Sequence, residues 1–125
     1  MAPGPRQHRG ARAYHAGAAA EAAVARAYIR RGYTIARQRW RGQAGEIDLI
    51  VRGARELVFV EVKQARDSAD AARALRPAQI ARLQAAAAEF LAGEPAGQLT
   101  PARFDVALVD GSGAITVIEN ALGQA

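Results

Sequence analysis

The sequence contains no cysteine. A disulfide framework, a thiol nucleophile, an iron–sulfur cluster and a cysteine zinc site are therefore excluded. The same absence agrees with a reducing compartment. Lysine is almost as scarce. Of the 17 basic residues all but Lys63 are arginine, which reads as coding bias and makes the one ammonium informative. Long hydrophobic runs are also missing. The longest weakly polar stretch, Ala16–Ala25, is mostly alanine and carries Glu21, too short and too polar to span a bilayer. Arg6, Arg9 and Arg12 precede it in the manner of a signal peptide. The run lacks Leu and Ile, however, and holds a charge at its centre. Neither export nor membrane insertion is expected, and the cytoplasm is the expected location.

What remains is an ordinary globular composition of 125 residues, 50% hydrophobic and 23% charged. That length predicts one domain with one layered core. The net charge of +5 is unevenly spread. Residues 1–41 hold nine arginines and one acid, Glu21, whereas the remainder is net acidic. A basic first third suggests a polyanion partner, and an acidic remainder suggests carboxylate chemistry. A solvated surface would give the same imbalance. Residues 1–12, rich in Pro, Gly and Arg, read as a flexible basic tail, followed by a domain over 13–120 and a C-terminal tail over 121–125.

The pattern along the chain predicts αβββαββ. Ala13–Arg31 is helical and ends at Gly32, with Arg30 and Arg31 in its last turn. Strands are expected at Tyr33–Arg41, Glu46–Arg52 and Glu56–Gln64. An irregular connection over Ala65–Arg76 leads to a helix that Pro77 opens, continuing over Ala78–Leu91. Two more strands, Arg103–Val109 and Ile115–Ile118, flank Asp110-Gly-Ser-Gly113. The stretch from Glu56 to Val109 can form a right-handed parallel crossover, with helices on both sheet faces.

The middle hairpin carries the chemistry. Ile47, Leu49 and Val51 alternate along one strand and Val58, Val60 and Val62 along the next. An even connecting loop, such as Gly53-Ala54, puts both aliphatic sets on one face. Asp48 then faces Phe59 and Glu46 faces Glu61. Asp48, Glu61, Lys63 and Glu46 share the opposite face, with Asp48 and Glu61 diagonal neighbours at roughly 7–8 Å between backbones. Three carboxylates beside one lysine repel one another unless a hard cation joins them, and Mg²⁺ suits oxygen donors. An exposed hairpin end with cross-strand salt bridges is the plainer alternative. Glu21 falls on the stripe of Val24, Ala25 and Tyr28, from which it can reach this pocket, or else it is a solvated acid.

Gly32-Tyr33-x-Ile35, Trp40-Arg41, Gly45-Glu-Ile-Asp-Leu-Ile50, Phe59-Val-Glu-Val-Lys63 and Arg103-Phe-Asp-Val106 occur in order. Together they resemble the YraN-like family of small, uncharacterised bacterial proteins, over about residues 15–119. That family looks like a member of the PD-(D/E)XK nuclease superfamily, similar to Holliday-junction resolvases. The resemblance implies a restriction-endonuclease-like, three-layer α/β/α fold with a mixed sheet. It implies Asp48 in the Asp position, Glu61-Val62-Lys63 in the (D/E)XK position, and Glu21 as the extra helical acid. Four positions depart from the family pattern: Ala20 for Gly, Arg39 for Asn, Ala65 for Arg and Gln79 for Lys. None removes a metal ligand, and Arg66 stands beside the lost arginine.

The function so implied is metal-dependent hydrolysis of DNA phosphodiesters, with branched or damaged DNA as a candidate substrate. Asp48 and Glu61 would hold Mg²⁺ or Mn²⁺, and Lys63 would orient the attacking water or stabilise transition-state charge. Alternation places Arg37, Arg39 and Arg41 on one face of the first strand. These three, with Arg66 and Gln79, are the expected nucleic-acid contacts. Trp40 is expected in the core. A nucleic-acid-binding protein with the nuclease fold and little catalysis is the alternative, and so is a protein whose carboxylates only bind a stabilising cation. DNA versus RNA, and monomer versus homodimer, stay open.

Overall fold

The computed structural model describes the backbone of residues 5–64 and 75–122, and side chains from residue 17 within those ranges. Helix α1 spans Pro5–Arg30. It takes in residues assigned above to the basic tail, because a helix tolerates proline in its first turn and the alanine-rich run propagates it. Its end follows from sequence. Gly32 adopts φ 96°, the Gly32 N–H donates to the Ile29 carbonyl (3.0 Å) and the Tyr33 N–H to the Tyr28 carbonyl (3.1 Å). This pair of bonds is a Schellman cap, and the Tyr28 and Tyr33 rings supply its apolar contact, edge to face at 5.4 Å.

Five strands follow: β1 (Thr34–Arg41), β2 (Glu46–Arg52), β3 (Leu57–Gln64), β4 (Ala102–Val109) and β5 (Ile115–Ile118). Helix α2 (Pro77–Leu91) lies between β3 and β4. The sheet order is β1-β2-β3-β4-β5. Only β3 and β4 are parallel, in unbroken register from Leu57↔Ala102 to Gln64↔Val109, and α2 belongs to that crossover. The chain after β5 stays on the sheet. The Ala121 N–H donates to the Phe104 carbonyl at 2.8 Å and Leu122 packs beside α2.

Each helix covers one sheet face, which makes three layers. Val24, Ala25 and Tyr28 of α1 pack on Leu49, Val51, Val58, Val60, Ala107 and Val109. Leu83, Ala86, Ala87 and Leu91 of α2 pack on Ile47, Ile50, Leu57, Phe59 and Phe104. Trp40 is half-buried against this core, meeting the Phe90 ring edge to face at 5.5 Å. Ile47 departs from the expected aliphatic face and joins the α2 side.

The β2–β3 register also differs from the expected one. Ile50 faces Phe59 and Arg52 faces Leu57, a shift of two from the expected Asp48–Phe59 pairing, and the paired residues end at Leu49 and Val60. The loop is Gly53–Glu56, closed by the Gly53 N–H donating to the Glu56 carbonyl at 2.8 Å. Glu56 is drawn out of the strand by its ion pair with Arg103, and the Leu57 N–H turns to the Pro101 carbonyl at 2.9 Å. The loop length is still even, so Leu49, Val51, Val58 and Val60 share one face as expected, whereas Asp48 lies on that same α1 side and not on the opposite face.

Gly42–Gly45 connects β1 to β2. Glu89 of α2 accepts the Gln43 and Ala44 N–H groups at 2.8 and 3.1 Å. A Cβ on Gly42 would come 2.6 Å from the Trp40 ring, so only glycine lets the loop approach the tryptophan.

Candidate active site

The β2–β3 ladder is regular from Arg52↔Leu57 to Leu49↔Val60. One residue further, the Val62 N–H donates to Asp48 Oδ2 at 2.9 Å. A side-chain carboxylate thus takes a main-chain donor of β3 where the ladder stops. This bond fixes Asp48 in the gap between the two strands.

Glu61 comes to the same gap. Its side chain is 12% exposed. Burial, then a hydrogen bond and the negative charge of Asp48, push its carboxyl up to about 8, against the opposing pull of Lys63. The Lys63 ammonium stands 3.8 Å from Glu61 Oε1. At that distance the two form an ion pair without a hydrogen bond.

Glu21 closes the pocket from α1. It accepts from Arg39 Nε at 2.6 Å. Burial raises its carboxyl above the ordinary value, Arg39 lowers it, and the Asp48 charge raises it again. A cavity of about 140 Å³ lies between Glu21, Arg39, Gln38 and Asp48. Asp48, Glu61, Lys63 and Glu21 are therefore brought together. Glu46 is not. It is exposed and turned to Arg41 Nη2 at 3.2 Å.

The arginines of β1 are divided between the faces. Arg37 lines a groove with Trp40, Glu89 and Phe90 on the α2 side, while Arg39 lines the Glu21 cavity on the α1 side. A bulge between Ile35 and Arg37 and φ 49° at Arg39 break the two-residue alternation. Gln38 and Arg39 both face α1, as do Asp48 and Leu49 across from them. The two strands turn over together at this point, which also sends Ile47 to the other side. A positive φ costs an arginine about 1–2 kcal/mol, and asparagine is among the residues that adopt it most readily. The departure noted at residue 39 thus falls on a strained backbone position. Gln79 is half-buried in the first turn of α2, and Arg66 lies outside the described residues.

A second polar cluster was not anticipated. Asp105 is 1% exposed and accepts from Tyr28 Oη at 2.7 Å, Arg103 Nε at 2.9 Å, Arg103 Nη2 at 3.2 Å and the Asn120 N–H at 3.1 Å. Arg103 also bonds Glu56 and Tyr33 Oη, the latter at 3.3 Å. Burial and the Asp105 carboxylate hold the Tyr28 phenol far above its usual range. The cluster ties the last turns of α1 to β4. Its sequence signal was Arg103-x-Asp105, two opposite charges on one face of an otherwise apolar strand.

A mixed five-stranded α/β fold with paired carboxyls and one lysine at a strand gap defines the class of protein. The chain belongs to the UPF0102 family, the YraN-like family that its motifs resemble. Residues 20–109 match that family, described as "Uncharacterised protein family UPF0102". It is 64% identical over 116 residues to a UPF0102 protein of Ruegeria pomeroyi, covering 93% of this chain and 94% of that one. A UPF0102 protein of Cereibacter sphaeroides strain KD131 is 57% identical over 86% of this chain and 92% of its own. One from Roseobacter denitrificans is 52% identical over 95% and 92%. Among the described residues no helix is long and apolar enough to cross a membrane.

Proposed function

We propose that the protein is a metal-dependent nuclease that hydrolyses phosphodiester bonds of DNA, with branched or damaged DNA as the candidate form. The observation that carries this reading is the meeting of the Asp48 and Glu61 carboxyls beside the Lys63 ammonium, at the end of a hairpin whose paired residues 49–51 and 57–60 are all apolar. Burying two carboxyls against each other is costly without compensation. Among the described residues no three His, Cys, Asp or Glu side chains are spaced to hold a metal ion as they stand. Mg²⁺ needs fewer, since it commonly binds through one or two carboxylates and retains its waters. The all-oxygen pair of Asp48 and Glu61 fits that preference, and Mn²⁺ would fit the same donors.

Asp48 and Glu61 would hold the ion, which when bound would supply charge to polarise a phosphoryl oxygen and to acidify a water. Asp48 is kept in place by the Val62 N–H. Glu61 releases its proton to act as a ligand. Lys63 has no hydrogen bond to Glu61 at 3.8 Å, so its N–H groups remain for the attacking water or a non-bridging oxygen. An arginine at this position would fork across the carboxylates. Arg37 and Arg41, both exposed, serve phosphate positioning.

A nicking assay on branched and single-stranded DNA, with and without Mg²⁺, tests the reading. Lys63→Ala should abolish cleavage and leave binding nearly intact, and Lys63→Arg should fail almost as badly. Asp48→Asn should lose both cleavage and the Mg²⁺-dependent rise in melting temperature. Cleavage that survives in chelator, or in Asp48→Asn, would sink the proposal. One observation favours the second reading, a nucleic-acid-binding protein of nuclease fold with little catalysis. Arg39, expected to contact phosphate, is engaged with Glu21. Binding without metal-dependent cleavage on any substrate form would select that reading.

A further inference from the structure

We propose that the Arg39 guanidinium is a built-in cation for Glu21, holding that carboxylate out of the metal site so that the pocket takes one divalent ion instead of two. The inference rests on the metal-dependent reading of Asp48 and Glu61 given above, and it extends that reading to how many ions the site accepts.

Glu21, Asp48 and Glu61 are three acids that feel one another's charge. Among the described residues Lys63 is paired with Glu61. On the other side of Asp48, the cation nearest Glu21 is Arg39, with Nε 2.6 Å from Glu21 Oε1 and both side chains partly shielded, at 35% and 21% exposure. Charge-assisted bonds of this length are strong, and a guanidinium keeps its charge at every pH at which the protein folds. The adjoining cavity of about 140 Å³ is lined by both partners and by Asp48. It exceeds by several-fold the roughly 30 Å³ that a water occupies. A second hydrated ion would need Glu21 and Asp48 as ligands in this space. Arg39 already neutralises one of them.

The backbone supports the same assignment. Arg39 stands between the pairs Gln38↔Leu49 and Trp40↔Ile47, hence opposite Asp48. Its φ of 49° coincides with the step at which β1 and β2 both place two successive residues toward α1. Without that step, Gln38 or Arg39 would face α2. A strained conformation that persists in an edge strand is expected where the surroundings require it, and here it delivers the guanidinium to Glu21.

The experiment counts ions. Mn²⁺ binding is followed by electron paramagnetic resonance and Mg²⁺ binding by calorimetry, without nucleic acid. Wild type should bind one ion. Arg39→Asn, which suits the positive φ, should bind two, or one at least ten-fold more tightly. Arg39→Gln should do the same and serves if the asparagine variant folds poorly. Adding Glu21→Gln to either should return the count and affinity to wild type, whereas Glu21→Gln alone should change neither. If wild type and Arg39→Asn bind one ion with equal affinity, the inference falls and the nuclease reading stands. If wild type binds none and Arg39→Asn binds, the one-ion count and the metal dependence of the wild-type protein fall together. If neither binds, both fall.

Discussion

Glu61 makes stability depend on pH in a direction unusual for a carboxyl group. Its side chain is 12% exposed, and burial together with Asp48 pushes it up to about 8 from an ordinary value of 4.5. Between these two values the folded chain keeps a proton that the unfolded chain has released. The stabilisation is complete below about pH 4.5 and is lost as pH rises through about 8. From pH 6 to pH 8, one such group costs about 2 kcal/mol, roughly 8 °C in melting temperature for a domain of this size. The measurement is denaturant unfolding in chelator at pH 6, 7 and 8. Wild type should weaken with pH, and Glu61→Gln, which carries no charge to bury, should be flatter and more stable at pH 8. Comparing the two chains subtracts the two histidines, which titrate in the same window. Because a metal ion takes the ionised carboxylate, Mg²⁺ should stabilise wild type more at pH 8 than at pH 6. A wild-type protein as stable at pH 8 as at pH 6, or a Glu61→Gln variant with the wild-type slope, would refute the reasoning.

Tyr28→Phe removes one of the donors to the buried Asp105 carboxylate and should cost about 1–3 kcal/mol in denaturant unfolding, with the response to Mg²⁺ unchanged. Asp105→Ala should cost more, about 3–5 kcal/mol, since it leaves Arg103 without its buried partner. DNA affinity should fall steeply as salt is raised from low to physiological concentration, and removing residues 1–12 should weaken it. A shift assay at two salt concentrations, with melting temperature as the control, checks both.

The fold was legible where a local rule decides the outcome. Gly32 ends α1 because a left-handed residue is needed there, and β2 and β5 match their expected bounds. Tertiary contacts decided the rest. Glu56 reads as the start of a strand, but its pairing with Arg103, 47 positions away, holds it in the loop and shifts the hairpin register by two. Nothing local to Arg39 announces a positive φ, because arginine carries no preference for it. The opposed charges of Arg103 and Asp105 were visible as a pair. Their burial was not, since it depends on Tyr28 arriving from α1.

The site proved more legible than the register that positions it, for a physical reason. A two-residue slip keeps every side chain on its face, because the strand period is two. The pairs from Leu49↔Val60 to Arg52↔Leu57 keep their faces under that slip, and beyond Leu49 the turn of β2 toward α1 brings Asp48 to Glu61. An even loop keeps the aliphatic sets of β2 and β3 together under α1, and the turn of β2 at Asp48 does the rest. What parity cannot supply is the distance between the acids, and that distance governs the chemistry. Beside Asp48, Glu61 holds its proton into the neutral range. Diagonally placed, each would ionise more readily and the pull on a divalent cation would be weaker. The four-residue loop thereby tunes the site from its far end. Shortening it by two residues should restore the diagonal pairing and weaken Mg²⁺ binding while leaving Asp48, Glu61 and Lys63 in place. Calorimetry on that variant compared with wild type measures the effect, and equal affinities would show that the hairpin register has no bearing on the ion.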